Sequence, residues 1–274
     1  MMKPDVPLLE KMARKLRYRI VTTIGPNNSG HYGGSLSIAD VVSVLYFYKM
    51  RLDPKNAKSK NRDRIVFSKG HAAVALYAAL AERGFFDAEE LSAFKDLGSN
   101  LQGHPDYRKT AGVDAGTGSL GQGLSIACGM AAAGKLDKLD YHVYCILGDG
   151  EMNEGQIWEA AQAAGVHRLD HLIGILDRNG MSGSDLIANR FNIAGWDQKW
   201  EAFGWNVVKT DGHNIPDIIR ALDEATNARN GKPTLVIAAT TKGKGLPIAE
   251  NNPAFHNGTL TQEQYDEALA ILEA

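Results

Sequence analysis

Residues 141–151 read YHVYCILGDGE, an apolar run that ends in a glycine-flanked carboxylate. Residues 171–179 read HLIGILDRN and repeat the arrangement, with an amide side chain directly after the apolar run. Apolar runs of this length predict buried strands of a parallel sheet, whose ligands bind at the carboxyl ends of the strands. The 28 residues between Gly150 and Asn179 suffice for one helix and one strand. The two turns are therefore predicted to lie side by side at one edge of the sheet.

The side chains at these two strand ends, Asp149 and Asn179, offer oxygen ligands. Carboxylate and amide oxygens suit Mg²⁺ or Ca²⁺ better than zinc, and Mg²⁺ usually keeps part of its shell for phosphate oxygens. Gly148 and Gly150 permit a tight turn and leave room for a bulky anion. The alternative is an ordinary strand-to-helix turn in which Asp149 caps the helix. Because the spacing places Asn179 beside Asp149 at the same edge of the sheet, we favour a metal site that holds a diphosphate-bearing ligand.

The remaining sequence alternates predicted strands with predicted helices. This alternation predicts an α/β fold with a doubly wound, mostly parallel sheet and helices on both faces. The length fits a single domain over residues 1–274. Strands are predicted at 64–67, 141–147, 171–177, 205–209 and 234–240, and helices at 8–24, 37–50, 70–83, 88–96, 120–134, 155–165, 196–203, 214–229 and 262–273.

Composition excludes several classes of partner. With 30 basic and 32 acidic residues the net charge is −2, so nothing indicates nucleic acid or an anionic membrane as a partner. The sequence has no apolar run of membrane-spanning length and no apolar signal core near its amino terminus. Its two cysteines, Cys128 and Cys145, lack metal-ligand spacing, which fits buried thiols in a reducing cytoplasm.

Residues 116–121 read GTGSLG and match the G-x-G-x-x-G fingerprint of dinucleotide-binding proteins. That fingerprint must follow a buried strand, but residues 107–115 are too polar and too broken to form one. A nucleotide-dependent dehydrogenase therefore stays a remote alternative. The glycines more plausibly let the main chain approach a flat ligand at the start of a helix.

Four of the eight histidines lie beside glycine or in predicted turns: His31, His71, His104 and His256. A lone histidine is usually a surface or hydrogen-bonded residue, but packing does not explain four in such contexts. Imidazole transfers protons near neutral pH, so these residues are candidates for catalysis. The TTKGKG stretch at 240–245 stays open, because its lysines fit phosphate attraction and a solvated loop equally well.

Taken together, the motifs resemble the transketolase family. The alpha subunits of pyruvate-type dehydrogenases share only GDG and the asparagine. Deoxyxylulose-phosphate synthase shares more, but the segments around His31 and His104 look less like it. The matching segments run in transketolase order: SGHYGGSLSIADV at 29–41, SKGHA at 68–72, GHP at 103–105, GTGSLGQGLSIACGMA at 116–131, GDGEMNEGQIWEA at 148–160, LDRNG at 176–180 and FHNG at 255–258.

The resemblance implies thiamine diphosphate and Mg²⁺ as cofactors, with Ca²⁺ or Mn²⁺ as substitutes. The metal ligands would be the Asp149 carboxylate, the Asn179 side chain and the carbonyl oxygen of Met181. Gly150 would donate its N–H to a phosphate, and His71 would lie near the diphosphate.

The resemblance also implies roles around the rest of the cofactor. His31, His104 and His256 would be the catalytic histidines that face the substrate. Two further cofactor-binding residues, Gly118 and Leu120, would contact the aminopyrimidine through their main chain. Glu154 would belong to a carboxylate network that joins active sites across the subunit interface.

A full-length transketolase is more than twice as long as this chain. The part without a counterpart here would carry the glutamate that protonates the aminopyrimidine and much of the sugar-phosphate site. The resemblance therefore implies the diphosphate-binding subunit of a split transketolase, which transfers a two-carbon ketol unit from a ketose phosphate to an aldose phosphate. A second chain would complete it, as an α₂β₂ assembly. The alternative is a non-catalytic subunit that binds thiamine diphosphate or acts as a scaffold.

Overall fold

A five-stranded parallel sheet forms the centre of the molecule in the computed structural model, which describes residues 3–183, 185–189 and 195–273. The spatial order of the strands is β1-β2-β3-β5-β4, and every neighbouring pair is parallel. The predicted doubly wound α/β class is confirmed. The strands are β1 (Arg64–Phe67), β2 (Val143–Gly148), β3 (Leu172–Arg178), β4 (Asn206–Asp211) and β5 (Thr234–Ala239).

Helices cover both faces of this sheet. Two small antiparallel ladders of two-residue strands lie outside it. Ser29–Gly30 pairs with Gly258–Thr259, and Met181–Ser182 pairs with Asp185–Leu186. None of the described helices is long and apolar enough to cross a bilayer. The described α-helices are α1 (Val6–Ile24), α2 (Tyr32–Ser37), α3 (Ala39–Val44), α4 (Ala73–Arg83), α5 (Gln122–Leu136), α6 (Gly155–Val166), α7 (Trp196–Ala202), α8 (Ile215–Asn227) and α9 (Gln262–Glu273).

The sheet separates two hydrophobic cores, because successive strand residues point to opposite faces. In β2, Tyr144 and Ile146 pack into the core formed with α1, α3, α4 and α8. Val143, Cys145 and Leu147 pack into the core formed with α5, α6 and α7. Burial on both faces explains why β2 and β3 are continuous apolar runs rather than alternating ones.

Most predicted boundaries agree with the structure within two or three residues, but the α-helix predicted at 88–96 was wrong, and two other helices include turns of a different type. The predicted helix 37–50 corresponds to α3, which continues into the π-helical turn Leu45–Lys49, while α2 ends at Ser37 before it. The predicted helix 88–96 is a 3₁₀ segment, Ala88–Ala93. It ends because Lys95 has a φ of 67° and donates its N–H to Leu101. The predicted helix 70–83 begins with a 3₁₀ turn, Gly70–Ala72.

A capping box begins α9. The Gln264 N–H donates to the Thr261 hydroxyl at 3.2 Å, and the Thr261 N–H donates to the Gln264 side chain at 3.0 Å. Leu272 of this helix packs into the same core as α1, so α9 lies against the body of the protein. The single domain over 1–274 stays a prediction.

A buried ionic network joins α1, α3 and the loop that follows β5. Both Arg17 and Asp40 are buried, and the Arg17 guanidinium pairs with the Asp40 carboxylate. His213 Nδ1 lies 2.7 Å from the same carboxylate, while His213 Nε2 accepts the Thr241 N–H at 2.8 Å. Arg17 Nε donates to the Lys244 carbonyl at 3.0 Å. The network therefore fixes residues 241–244 from two sides.

Replacing Asp40 by Asn tests how much this network contributes to the free energy of unfolding. Burial alone would raise the pKa of Asp40, but the His213 hydrogen bond and the Arg17 charge hold it below its usual 3.8. The contribution of Asp40 to stability is therefore complete above that value and lost as the pH falls through the lower, folded pKa. We expect Asp40→Asn to lose about 3 kcal/mol near pH 7, since it leaves Arg17 without its buried partner.

Urea unfolding of both proteins from pH 7 to pH 3 measures this effect. The two stability curves should converge as the solution becomes acidic, because the native protein then loses the same interaction. Asp106→Asn is the matched control, since Asp106 pairs with Arg108 on the surface and the Arg108 side chain is 75% exposed. A stability difference that does not change with pH would contradict the ionic origin.

Candidate active site

The carboxyl ends of β2 and β3 bring Asp149 and the Asn179 turn together. Gly148 of β2 is in register with Asp177 of β3, so the residues that follow them meet at the same edge. One Asp149 carboxylate oxygen accepts the Gly150 N–H at 2.8 Å, and the other accepts the Gly180 N–H at 2.5 Å. A single carboxylate therefore bridges the two turns, as the spacing in the sequence predicted.

The Asn179 amide is held in one orientation by two neighbours. Its Nδ2 donates to Asp177 at 3.1 Å, and its Oδ1 accepts the Met181 N–H at 3.2 Å. Asp149, Asn179 and the Met181 carbonyl thus belong to two adjoining turns and offer a carboxylate, an amide and a main-chain oxygen. This oxygen-only donor set fits Mg²⁺, Ca²⁺ or Mn²⁺.

Asp177 is a site residue that the sequence analysis did not single out. It is fully buried and accepts hydrogen bonds from Lys69, Ser37, Thr240 and Asn179. Burial alone would raise the pKa of Asp177, but the Lys69 charge and these hydrogen bonds hold it below its usual value. The ionised carboxylate therefore orients the Asn179 amide from beneath the site.

Asp149 lies in a different electrostatic environment from Asp177. It is 2% exposed, and burial followed by the charge of Asp177 raises the pKa of Asp149 to about 7. Two buried carboxylates side by side repel each other, so a divalent cation between the turns would favour the ionised form. This pair of carboxylates therefore suits a cation site.

A cavity of about 300 Å³ opens above these turns. Of the residues predicted to bind cofactor, metal or substrate, those that line it are His71, Leu120, Asp149, Gly150, Glu154, Asn179, Met181 and His256. Gly118 is set back from it, against His104: a Cβ placed on Gly118 would lie 3.4 Å from the His104 ring. In this structure the Gly150 N–H expected at a phosphate donates to Asp149.

The four singled-out histidines form one cluster beside this cavity. The His31 ring centroid lies 5.2 Å from that of His71, 5.4 Å from that of His256 and 6.4 Å from that of His104. Burial lowers the pKa of His31 to about 4, and burial followed by the Lys242 charge lowers the pKa of His256 to about 4. These two imidazoles are therefore neutral at pH 7, so each ring can donate one hydrogen bond and accept another.

Lys242 lines the cavity and is not in a solvated loop, while its attraction of a phosphate stays a prediction. It is 3% exposed, and its Nζ lies 3.2 Å from the Gly183 carbonyl and 3.1 Å from His256 Nδ1. Burial lowers the pKa of Lys242 to about 8. A Cβ on Gly33 would lie 2.9 Å from the Lys242 side chain, so the Gly-Gly pair in HYGGS leaves room for it. Lys244 has a half-exposed side chain that reaches Glu250 instead.

Two lysines, Lys69 and Lys242, thus face a cavity whose floor carries the oxygen donors. Cationic groups and glycine-rich turns around an oxygen-donor pair suit a metal-bound diphosphate. By contrast, GTGSLG follows no strand, because residues 113–118 have neither strand nor helix structure and the preceding β1 ends at Phe67. The dinucleotide fingerprint is therefore excluded on structural grounds.

Comparison with known proteins identifies the family. Residues 9–272 match the family described as "Transketolase, thiamine diphosphate binding domain". The chain belongs to the transketolase family. It is 46% identical over 265 residues to the 6-deoxy-6-sulfo-D-fructose transketolase subunit SqwG of Clostridium sp. (strain MSTE9), covering 97% of this chain and 96% of that protein. It is 42% identical to one subunit of the apulose-4-phosphate transketolase of Phocaeicola vulgatus, covering 97% and 94%.

Solved transketolase structures share the fold. The transketolase of Campylobacter jejuni superposes with a TM-score of 0.91 at 35% identity, covering 98% of this chain and 43% of that one. Human transketolase is 39% identical over 271 residues, and the match covers 97% of this chain and 43% of the human protein. The transketolase family thus includes proteins of this length and proteins more than twice as long.

Replacing Lys242 by Met tests its role in holding an anion. A charge-assisted hydrogen bond is worth about 1.5–3 kcal/mol, so we expect the affinity for Mg²⁺-pyrophosphate to fall by about 10- to 100-fold. Isothermal titration calorimetry on the full chain measures it. Lys244→Met removes a neighbouring lysine whose side chain points to Glu250, and it should bind like the native protein. Equal losses in the two variants would show that general charge, and not the Lys242 position, matters.

Proposed function

We propose that this chain is the thiamine diphosphate- and Mg²⁺-binding subunit of a two-chain transketolase. With its partner it transfers a two-carbon ketol unit from a ketose phosphate to an aldose phosphate. The observation that carries the proposal is the Asp149 carboxylate, which bridges the turns at two adjoining strand ends beneath a cavity lined by lysine and histidine. Membership of the transketolase family supports the same reaction.

The metal would be held by Asp149, Asn179 and the Met181 carbonyl, and Lys242 and His71 would lie against the diphosphate. When bound, thiamine diphosphate supplies the carbon nucleophile and the electron sink of the reaction. The chain's own residues then bind, orient and move protons. Glu154 is exposed at the edge of the cavity, before α6, where a partner's carboxylate could reach it.

Proton transfer to and from the sugar would be the work of the histidine cluster. A ketose carbonyl whose oxygen gains negative charge would need hydrogen-bond donors beside it, and the sugar hydroxyl groups would need both donors and acceptors. His31 and His256 are neutral imidazoles at pH 7, and His104 lies beside them. The three rings therefore offer donors and acceptors around one space, which is what a substrate with several hydroxyl groups requires.

A partner subunit is supported by the lengths of the relatives. The chain spans 43% of full-length transketolases, while two relatives of its own size carry the word subunit in their names. We infer that a second chain supplies the pyrimidine-binding half and that two copies of each pair in an α₂β₂ assembly about a two-fold axis. One of these relatives is named for a sulfo-sugar and the other for a sugar phosphate, which supports an anionic sugar as the substrate here.

Reconstitution with the partner subunit tests the proposal. We expect ketol transfer that requires both Mg²⁺ and thiamine diphosphate, and we expect Asp149→Ala to abolish it together with Mg²⁺-dependent cofactor binding, since the bridging carboxylate is removed. Asp137→Asn, at the far end of α5, is the control. Cofactor binding that survives in Asp149→Ala would refute the metal assignment, and a reconstituted pair without transferase activity on any ketose phosphate would refute the reaction.

Replacing His104 by Asn separates catalysis from a scaffold role. Loss of a general acid–base group costs about 10²- to 10⁴-fold in rate, so kcat should fall by that order while the affinity for thiamine diphosphate changes little. Steady-state kinetics on the reconstituted pair measures kcat, and calorimetry measures the affinity for thiamine diphosphate. His167→Asn changes an exposed histidine beyond the end of α6 and should have no effect. Full activity of His104→Asn would remove this histidine from the mechanism.

A further inference from the structure

Glu151, the residue that follows GDG, is a buried carboxylate that belongs to neither the metal ligands nor the histidine cluster. It is 2% exposed. One carboxylate oxygen accepts the main-chain N–H of Gly121 at 2.7 Å and also the hydroxyl of Ser68. The other oxygen accepts the main-chain N–H of Gly148 at 2.9 Å. Three donors from three separate segments therefore converge on one side chain.

The three segments are the walls of the cofactor cavity. Gly148 ends β2 and precedes the Asp149 turn. Gly121 ends the loop 116–121 and follows Leu120, which lines the cavity. Ser68 follows β1 and precedes Lys69. Glu151 thus joins the Asp149 turn to the loop 116–121, and both segments border the cavity.

The loop 116–121 depends on this carboxylate for its position. At its first half the Thr117 hydroxyl donates to the Phe67 carbonyl at 2.7 Å. At its second half the Gly121 N–H donates to Glu151. Gly121 has a φ of 85°, and a Cβ there would lie 2.9 Å from the Glu154 side chain, so the loop passes close to α6 at this point. The carboxylate therefore fixes both the direction of an N–H group and the path of the chain.

We propose that Glu151 is a positioning residue of the cofactor site: its carboxylate sets the separation between the Asp149 turn and the Leu120 loop, which would hold opposite ends of thiamine diphosphate. The inference rests on the proposed function, because the two ends belong to one ligand only if that ligand binds here. Glu151 itself acts through the two main-chain segments that it joins.

The three donors around Glu151 require that both of its carboxylate oxygens accept hydrogen bonds. An ionised carboxylate is acceptor-only, whereas the Gln side chain carries one acceptor oxygen and one NH₂ donor. The Ser68 hydroxyl can rotate to accept from that NH₂, but the N–H groups of Gly121 and Gly148 cannot. Glu151→Gln keeps the shape of the side chain and leaves one main-chain N–H without an acceptor, whichever way the amide is turned.

Calorimetry on the complex of this chain with its partner subunit tests the inference with two ligands. We expect Glu151→Gln to bind thiamine diphosphate with Mg²⁺ about tenfold more weakly, the effect of one lost buried hydrogen bond. Inorganic pyrophosphate with Mg²⁺ should lose less affinity, since it reaches only the metal turn. An equal loss for both ligands would overturn the claim that Glu151 sets a separation. Unchanged affinity for thiamine diphosphate would overturn it as well.

Ser68→Ala is the matched control, because it removes a donor to the same carboxylate without leaving any N–H unpaired. Its affinity for thiamine diphosphate should fall less than that of Glu151→Gln. An equal fall would show that side-chain packing, rather than the hydrogen bonds from the main-chain N–H groups, determines the affinity. Hydrogen exchange without cofactor gives an independent measurement. Peptides that contain Gly121 or Gly148 should exchange faster in Glu151→Gln, while the unfolding midpoint stays within a few degrees of the native one.

The unmodified complex separates failure of this inference from failure of the proposed function. If it binds no thiamine diphosphate, the proposed function is wrong and the inference is wrong with it. If it binds the cofactor and Glu151→Gln binds equally well, the proposed function stands and only the positioning role of Glu151 is lost.

Discussion

Two carboxylates buried side by side at the carboxyl edge of a parallel sheet are the constraint on which the site depends. Asp177 is stabilised by Lys69, which is almost as deeply buried as the carboxylate itself. Asp149 has the N–H groups of two turns instead, and burial together with the charge of Asp177 raises the pKa of Asp149. A divalent cation between the two turns would offset the repulsion between these carboxylates. Lys69, Lys242 and the glycine turns line the cavity above these two carboxylates.

The strand ends could be predicted because they depend on simple periodicity. Continuous apolar runs, a helix-plus-strand spacing, a carboxylate after the first run and an amide after the second suffice to place Asp149 beside the Asn179 turn. Segments whose structure depends on distant contacts could not be predicted. Helix α2 contains two glycines, which disfavour a helix, and it forms because the whole segment is buried and Gly33 lies against Lys242.

Site residues that escaped the sequence patterns depend on distant contacts as well. Lys242 reads like a lysine of a solvated loop until the fold covers it. Glu151 looks like the exposed first turn of a helix, and only the structure shows that Gly121, far away in the chain, donates to it. The histidines were found because their glycine neighbours are a local signal. Residues that act through long-range hydrogen bonds have no such local signal. Sequence patterns therefore identify the residues that face a ligand more readily than the residues that support them.

The network of Arg17, Asp40 and His213 has a consequence for the amino-terminal helix. Because Arg17 holds the Lys244 carbonyl and His213 holds the Thr241 N–H, helix α1 braces the segment that carries Lys242. Shortening the protein from its amino terminus, or fusing a bulky partner that pulls α1 away, would weaken the contacts that hold residues 241–244, although α1 lies outside the cavity. The first helix of the chain thus behaves as a remote component of the vitamin pocket, although it contributes no atom to the cavity wall.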